Sequence, residues 1–313
     1  MKAAATTNVI RRTLFIAMFV LAGVFLWPIG DELVRQLPSW LLRRSPHDWY
    51  VRDMRSEGLD RTHAGRAWLA AAERATHSPD EVGPVLTRSA VFDASAGSAH
   101  GWRFRVRRGQ QLTIDVAFAR GPLFIDVFRL DDHERLASAS DGSTRLTYDV
   151  TADADVIARI QPALGRTGKF RVVQRADATL RFPVEGIMPS TVAGTFGGAR
   201  DAGRRRHEGI DIFAPRGTPV LAAADGWVTG QSTNALGGNV VWLWSLRHGV
   251  SLYYAHLDRH AVTPGEHVTA GEIVGYVGNT GNARSTAPHL HFGVYGRPGG
   301  AVDPLPFVCD APC

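Results

Sequence analysis

From about Val85 onward the chain alternates. Trp102, Phe104 and Val106 are interleaved with Arg103, Arg105 and Arg107, the turn Arg108-Gly109 follows, and Leu112, Ile114, Val116 and Phe118 repeat the period. A period of two places apolar side chains on one face of an extended strand and polar ones on the other, which no helix can use. Leu123-Ile125-Val127, Leu146-Tyr148-Val150, Val156-Ala158-Ile160 and Phe170-Val172 continue the series. Short strands separated by turn residues predict an antiparallel β-sandwich domain over residues 85–176. No cluster of catalytic residue types falls within it, so its arginines read as the wet face of a sheet. The role left to it is binding, of glycan or of a regulatory protein partner.

A second β-rich domain is expected over residues 182–308. Gly194, Gly197 and Gly198 precede its first histidine, and Gly237-Gly238 precede the apolar run Val240 to Trp244. Between Val262 and Gly275 apolar residues alternate with tight glycine turns, the pattern of a compact, strongly bent antiparallel sheet. Seven of the twelve histidines lie from His207 to His291, so the chemistry is concentrated here. Ahead of both domains, residues 31–80 form a juxtamembrane and helical spacer. Ala64, Ala67, Trp68, Ala71 and Ala72 recur at helical spacing until Ser78-Pro79 stops them.

The first thirty residues bear on compartment. Lys2, Arg11 and Arg12 precede an apolar run from Leu14 to Ile29, and Asp31 and Glu32 follow it. Positive charge before such a run places the N-terminus in the cytoplasm and the rest outside. The expectation is a basic cytoplasmic tail at 1–12 and a signal-anchor transmembrane helix at 13–30, with no small-x-small cleavage site after it. Cys309 and Cys313 are spaced for a small disulfide loop in an oxidising compartment. The net charge of +5 is carried by arginines spread along the chain, and no nucleic-acid motif accompanies it, so no nucleic-acid partner is expected. Such a surface tolerates an anionic polymer such as a cell wall.

The site itself is announced by His289-Leu290-His291 and by His207-x-x-x-Asp211 upstream. In a strand, side chains two apart share a face with Cα atoms roughly 6.6–7 Å apart, so both histidines can aim into one pocket. His207 and Asp211 add a nitrogen and a carboxylate oxygen, and a mixed His/carboxylate shell suits a catalytic zinc with one open position. The run His207-Glu208-Gly209-Ile210-Asp211 is not a protease helix, because Gly209, Ile210, Ile212 and Pro215 oppose one. A straight strand would hold its two ends ~13 Å apart. Coordination therefore requires a loop that bends back at Gly209, with Asp211 opening a strand and Glu208 pointing away. His248, His260 and His267 read as surface residues. Asn239 faces the cleft or caps a turn, and Arg200 with Arg204 to Arg206 contacts a substrate carboxylate or forms an ordinary basic loop.

Phe196-Gly197, His207-x-x-x-Asp211, Ala214-Pro215-Arg216-Gly217-Thr218-Pro219-Val220, Tyr254-Ala255-His256-Leu257 and Pro288-His289-Leu290-His291-Phe292 together resemble the M23 family of zinc peptidases, the LytM/lysostaphin type. The resemblance covers residues 182 to 307. It implies Zn2+ held by His207, Asp211 and His291, with His256 and His289 as the catalytic pair that binds no metal. It implies hydrolysis of peptide bonds in peptidoglycan stem peptides or cross-links, or else an inactive relative that binds the wall or activates a cell-wall amidase. The tyrosine that some members carry shortly before the first ligand is missing from Asp201 to Arg206. With the anchor, the expected location is the inner membrane, single-pass, with the catalytic domain in the periplasm, or secretion if the segment is cleaved.

Overall fold

The computed structural model describes residues 44–94, 97–296 and 299–310. The expected basic tail, the membrane-crossing segment, the first part of the spacer and Cys313 lie outside the described residues. No helix among those described is long and apolar enough to cross a membrane. Cys309 is buried and is not a free thiol.

The chain divides into two units, 1–53 and 54–313. In the first, Ser45 caps the helix Pro46–Ser56 reciprocally: its backbone N–H donates to Asp48 Oδ2 at 3.1 Å, and the Asp48 N–H donates to Ser45 Oγ at 3.2 Å. Proline directly after that cap loses no hydrogen bond, since the N–H it lacks would have had no helical partner.

The second unit is mainly β. Its one long helix, His63–His77, starts at Thr62, whose Oγ1 accepts from Gly65 N at 3.0 Å. Trp68, Ala71, Ala72 and Ala75 make a buried stripe at helical spacing. Trp68 Nε1 donates to Pro162 O at 2.8 Å, and Gln161 Nε2 donates to Trp68 O at 2.8 Å, so the helix is stitched to a sheet by both edges of one residue.

The strands before residue 180 are β1 (Asp80–Glu81), β2 (Leu86–Phe92), β3 (His100–Val106), β4 (Gln110–Ala117), β5 (Leu123–Arg129), β6 (Arg135–Ser138), β7 (Arg145–Asp149), β8 (Ala154–Pro162) and β9 (Gly168–Ala178). They form two sheets, ordered β1-β3-β8-β5-β6 and β2-β9-β4-β7, around one core that includes Trp102, Phe104, Ile114, Val127 and Val172. The alternation of Trp102, Phe104 and Val106 with three arginines appears as buried and exposed positions in turn along β3.

After β9 come β10 (Val192–Gly194), β11 (Ala199–Arg200), β12 (Arg205–Arg206), β13 (Ile210–Phe213), β14 (Pro219–Leu221), β15 (Gly226–Asn234), β16 (Gly238–Ser245), β17 (Val250–Leu257), β18 (Arg259–His260), β19 (His267–Val268), β20 (Ile273–Tyr276), β21 (His289–Gly296) and β22 (Gly300–Val302). The main sheet runs β10-β13-β21-β17-β16-β15-β19, with β22 added to β21, and a small sheet β14-β20-β18 closes the other side of the core. The two β regions meet where Gly109 abuts the Phe307 ring, Arg108 abuts Gly296, and Arg107 pairs with Asp303 at 3.1 Å. Gly296 is the far end of β21, seven residues and therefore about 23 Å from His289.

Candidate metal and catalytic site

Alternation along β21 sends Leu290, Phe292 and Val294 into the core, each 0% exposed, and leaves His289, His291, Gly293 and Tyr295 on the opposite face. On one flank β13 runs antiparallel, with Asp211 opposite His291 and Phe213 opposite His289. On the other flank β17 sets Ala255 opposite His291. A methyl group at that place leaves the front of the imidazole open.

His207 enters from the loop between β12 and β13. The loop bends at Gly209, where a Cβ would overlap the carbonyl oxygen of Phe292 and stand 2.8 Å from His291 Cε1 and Nε2. Only glycine allows this approach, and the bend brings His207 and Asp211 to one point. His207 Nδ1 donates to Thr195 O at 2.9 Å, which leaves the lone pair of the neutral ring on Nε2. That Nε2 lies 3.0 Å from Asp211 Oδ1 and 2.9 Å from His291 Nδ1, and the third side, His291 Nδ1 to Asp211 Oδ1, is 3.1 Å. These edges approach the roughly 3.3 Å between ligands of a tetrahedral ion bound at ~2.0 Å. A proton can relieve one edge of such a triangle, whereas a divalent cation relieves all three. His207, Asp211 and His291 are the group among the described residues with metal-ligand spacing. The second carboxylate oxygen, Asp211 Oδ2, accepts from Arg200 Nη2 at 2.9 Å, which orients Oδ1 toward the cluster.

Burial alone would raise the Asp211 carboxyl, but the adjoining His207 and His291 rings outweigh it and hold the group well below the usual carboxylate range. Burial lowers His291, against the opposing pull of Asp211. His256 is pushed down to about 4, first by burial and then by the neighbouring His289 and His291. At neutral pH the ring of His256 is therefore uncharged.

His256 and His289 share one device. His256 Nδ1 donates to Thr280 O at 2.9 Å and His289 Nδ1 donates to Ala287 O at 2.9 Å, so the ring nitrogen left uncommitted in each is Nε2. The rings lie 5.0 Å apart, and His289 Nε2 is 4.0 Å from Asp211 Oδ1. His256 reaches the cleft against the alternation. Ala255 already faces the cleft, so the next side chain should enter the core, but a φ of 62° at His256 turns it back. A left-handed backbone at a non-glycine residue costs of order 1–2 kcal/mol and is held here by the bond from His256 N to Gly237 O at 2.7 Å.

These residues line a cleft of about 630 Å³ that also includes Arg200, Glu208, Trp242, Tyr253 and Tyr295. Its lining falls within residues 200 to 295, so none of it comes from the described residues of the upstream sandwich. Glu208 points away from the metal cluster as the glycine bend requires, and its Oε2 accepts from Tyr295 O–H at 3.3 Å. The aromatic side of the cleft was missed by motif reading, although Trp242, Tyr253 and Tyr295 all occupy cleft-face positions of alternating strands. Asn239 neither faces the cleft nor caps a turn: its Nδ2 donates to Leu257 O at 3.1 Å and Asp258 O at 3.0 Å, and its Oδ1 accepts from Thr233 at 2.7 Å. His248 and His260 are half-buried rather than on the surface, while His267 is exposed and stacks edge-on against Trp227.

Fold and site together define a class: a glycine-turned antiparallel β domain with a His–Asp–His cluster at its cleft. Residues 205–304 match the model of Peptidase family M23, and through this segment the chain belongs to that family. The chain is 48% identical over 90 residues to the DD-carboxypeptidase/endopeptidase Mpg of Neisseria meningitidis serogroup B, and 43% identical over 90 residues to the peptidoglycan DD-endopeptidase ShyC of Vibrio cholerae. Each match covers 28% of this chain, and the chain spans a fifth (20%) of the length of each of these curated relatives. The catalytic domain of lysostaphin from Staphylococcus simulans is 33% identical with a TM-score of 0.35, covering 38% of this chain and 93% of that one.

Proposed function

We propose that this protein is a zinc-dependent endopeptidase that cuts peptide bonds in peptidoglycan cross-links outside the cytoplasmic membrane. The observation that carries this reading is the triangle of His207 Nε2, Asp211 Oδ1 and His291 Nδ1, with edges of 2.9–3.1 Å, flanked by two histidines whose Nδ1 protons are committed to backbone carbonyls. The DD-endopeptidase names of the Neisseria and Vibrio relatives favour the direct stem-peptide cross-link as the substrate. The N-terminal signal-anchor, with residues beyond it in the periplasm of a Gram-negative envelope, completes the reading. Docking of a regulatory protein on the sandwich belongs to it as well.

Zinc held by His207, Asp211 and His291 would polarise the scissile carbonyl and acidify the attacking water. Everything else falls to the chain. His289, with Nε2 nearest the ligand cluster, and His256, neutral at pH 7, present two Nε2 acceptors on the reacting side. Whichever ring takes the proton of the nucleophile then holds it as an Nε2–H, which can donate to the tetrahedral oxyanion and be returned to the leaving amine. Arg200 holds Asp211 from behind, so the carboxylate does not rotate out of the cluster. Burial of both rings keeps bulk water from competing for that proton.

The test is zinc content together with mass spectrometry of peptides released from purified walls. Wild type is expected to hold one equivalent of zinc and release cut cross-links. His207→Ala is expected to lose metal and activity together, whereas His289→Ala and His256→Ala keep the metal and lose about a hundredfold or more in turnover. A protein that is metal-free and inert would be the wall-binding or amidase-activating alternative, and retained hydrolysis in His289→Ala would remove its assigned role.

A further inference from the structure

The geometry points to a subsite for a primary ammonium group at the aromatic end of the cleft, with Glu208 as its counter-charge, which makes Glu208 a specificity-determining residue. The inference rests on the peptidase reading and names the substrate chemistry of that same cleft: a diamino-acid residue with a free amine.

Four observations meet here. Glu208 lines the same cleft as the catalytic histidines, and its carboxylate has no cationic partner among the described residues. The Tyr295 hydroxyl, 3.3 Å from Glu208 Oε2, fixes the carboxylate rather than neutralising it. Trp242, Tyr253 and Tyr295 pack into one apolar wall, with ring centroids 4.4 Å apart for Trp242 and Tyr253 and 5.1 Å for Trp242 and Tyr295. Such a wall suits the methylene stem of an amine, and its ring faces and edges add attraction to the charged head. Finally, Gly293 makes room for it. A Cβ there would stand 2.8 Å from Tyr295 Cε2 and 3.5 Å from Tyr253 Cβ, so glycine lets both rings lean over the strand.

Position gives the reach. His291, Gly293 and Tyr295 succeed one another on one face of β21, so Tyr295 stands about 13 Å along the strand from His291. Tyr253, paired with Gly293, bridges the gap, its ring 5.9 Å from that of His291. An extended peptide with its scissile bond at the histidines would place a side chain of its next residue but one over Tyr253, with the ammonium at Glu208.

The experiment uses the full chain loaded with zinc and has two arms. In the first, saturation-transfer NMR reads binding of Nα-acetyl-lysine methylamide and of its Nε-acetyl analogue. Transfer to the side-chain methylenes is expected for the free amine, and it is expected to vanish for the acetylated analogue and in Glu208→Gln. In the second, purified walls are digested before and after acetylation of their amines. Acetylation and Glu208→Gln are each expected to lower the rate about tenfold or more, and acetylation is expected to add little in Glu208→Gln. Equal digestion of both walls by wild type, a Glu208→Gln rate equal to wild type, or no amine-dependent transfer overturns the ammonium site. Amine-dependent transfer without hydrolysis of either wall keeps the site and removes the peptidase reading instead.

Discussion

Gly209→Ala tests whether the bend that joins His207 to Asp211 is built for metal. The added methyl group would overlap the carbonyl oxygen of Phe292 and meet His291 Cε1 and Nε2 at 2.8 Å, where ordinary contact begins at 3.4 Å. The imidazole must then retreat by about 0.6 Å, three times the roughly 0.2 Å tolerance of a metal–ligand distance. The strand cannot yield in its place, because β21 is hydrogen-bonded on both flanks, to β13 and to β17. Overpacking of this kind costs about 1–3 kcal/mol of stability. In a domain of this size that is about 2–4 °C in Tm for each kcal/mol. Zinc affinity, read by competition with a chromophoric chelator, is expected to fall about 10–100-fold, by analogy with the loss of an orienting partner. The reasoning is refuted if Gly209→Ala binds zinc as tightly as wild type and melts within a degree of it.

In metal-stripped protein, His256 ties stability to pH. Its folded value of about 4 lies below the ordinary 6.5, so the unfolded chain takes up the proton first. Stability is full above pH 6.5 and falls toward pH 4 by up to about 3 kcal/mol, which urea titrations at pH 5 and pH 7 would measure. His100, depressed chiefly by burial, contributes with the same sign. Asn239→Ala removes two hydrogen bonds that tie β16 to the β17–β18 turn and one from Thr233 on β15, and should cost about 2–3 kcal/mol by the same titration. Trp68→Ala empties a fully buried site and strands Pro162 O, for about 3–5 kcal/mol, with cleft chemistry unchanged in the surviving folded fraction.

The readable parts of this chain were those with a period. Alternating apolar residues marked β3, β4, β5 and β8, and the helix around Trp68 ended at His77, beside the Ser-Pro stop. The pairing of Asp211 with His291 followed from two short motifs and a glycine between them. His256 was legible as a cleft residue only through its resemblance, since alternation after Ala255 would have buried it. Its orientation depends on the sign of one backbone angle, and local residue types do not encode that sign. Asn239 was misread because its partners, Leu257 and Asp258, are eighteen and nineteen residues away. Glu208 was read as pointing away from the metal, but its partner Tyr295 lies 87 residues on, beyond any local pattern.

The positive φ at His256 has a consequence for anyone who tries to toughen this protein. Glycine adopts that backbone shape without steric strain, so among replacements that empty this position His256→Gly is expected to keep the most heat resistance while it silences the cleft. Among those replacements, screens that reward survival of the fold will drift toward glycine. A library selected on catalysis will keep the histidine and accept its strained backbone. Position 256 is thus where backbone ease and turnover pull the sequence in opposite directions.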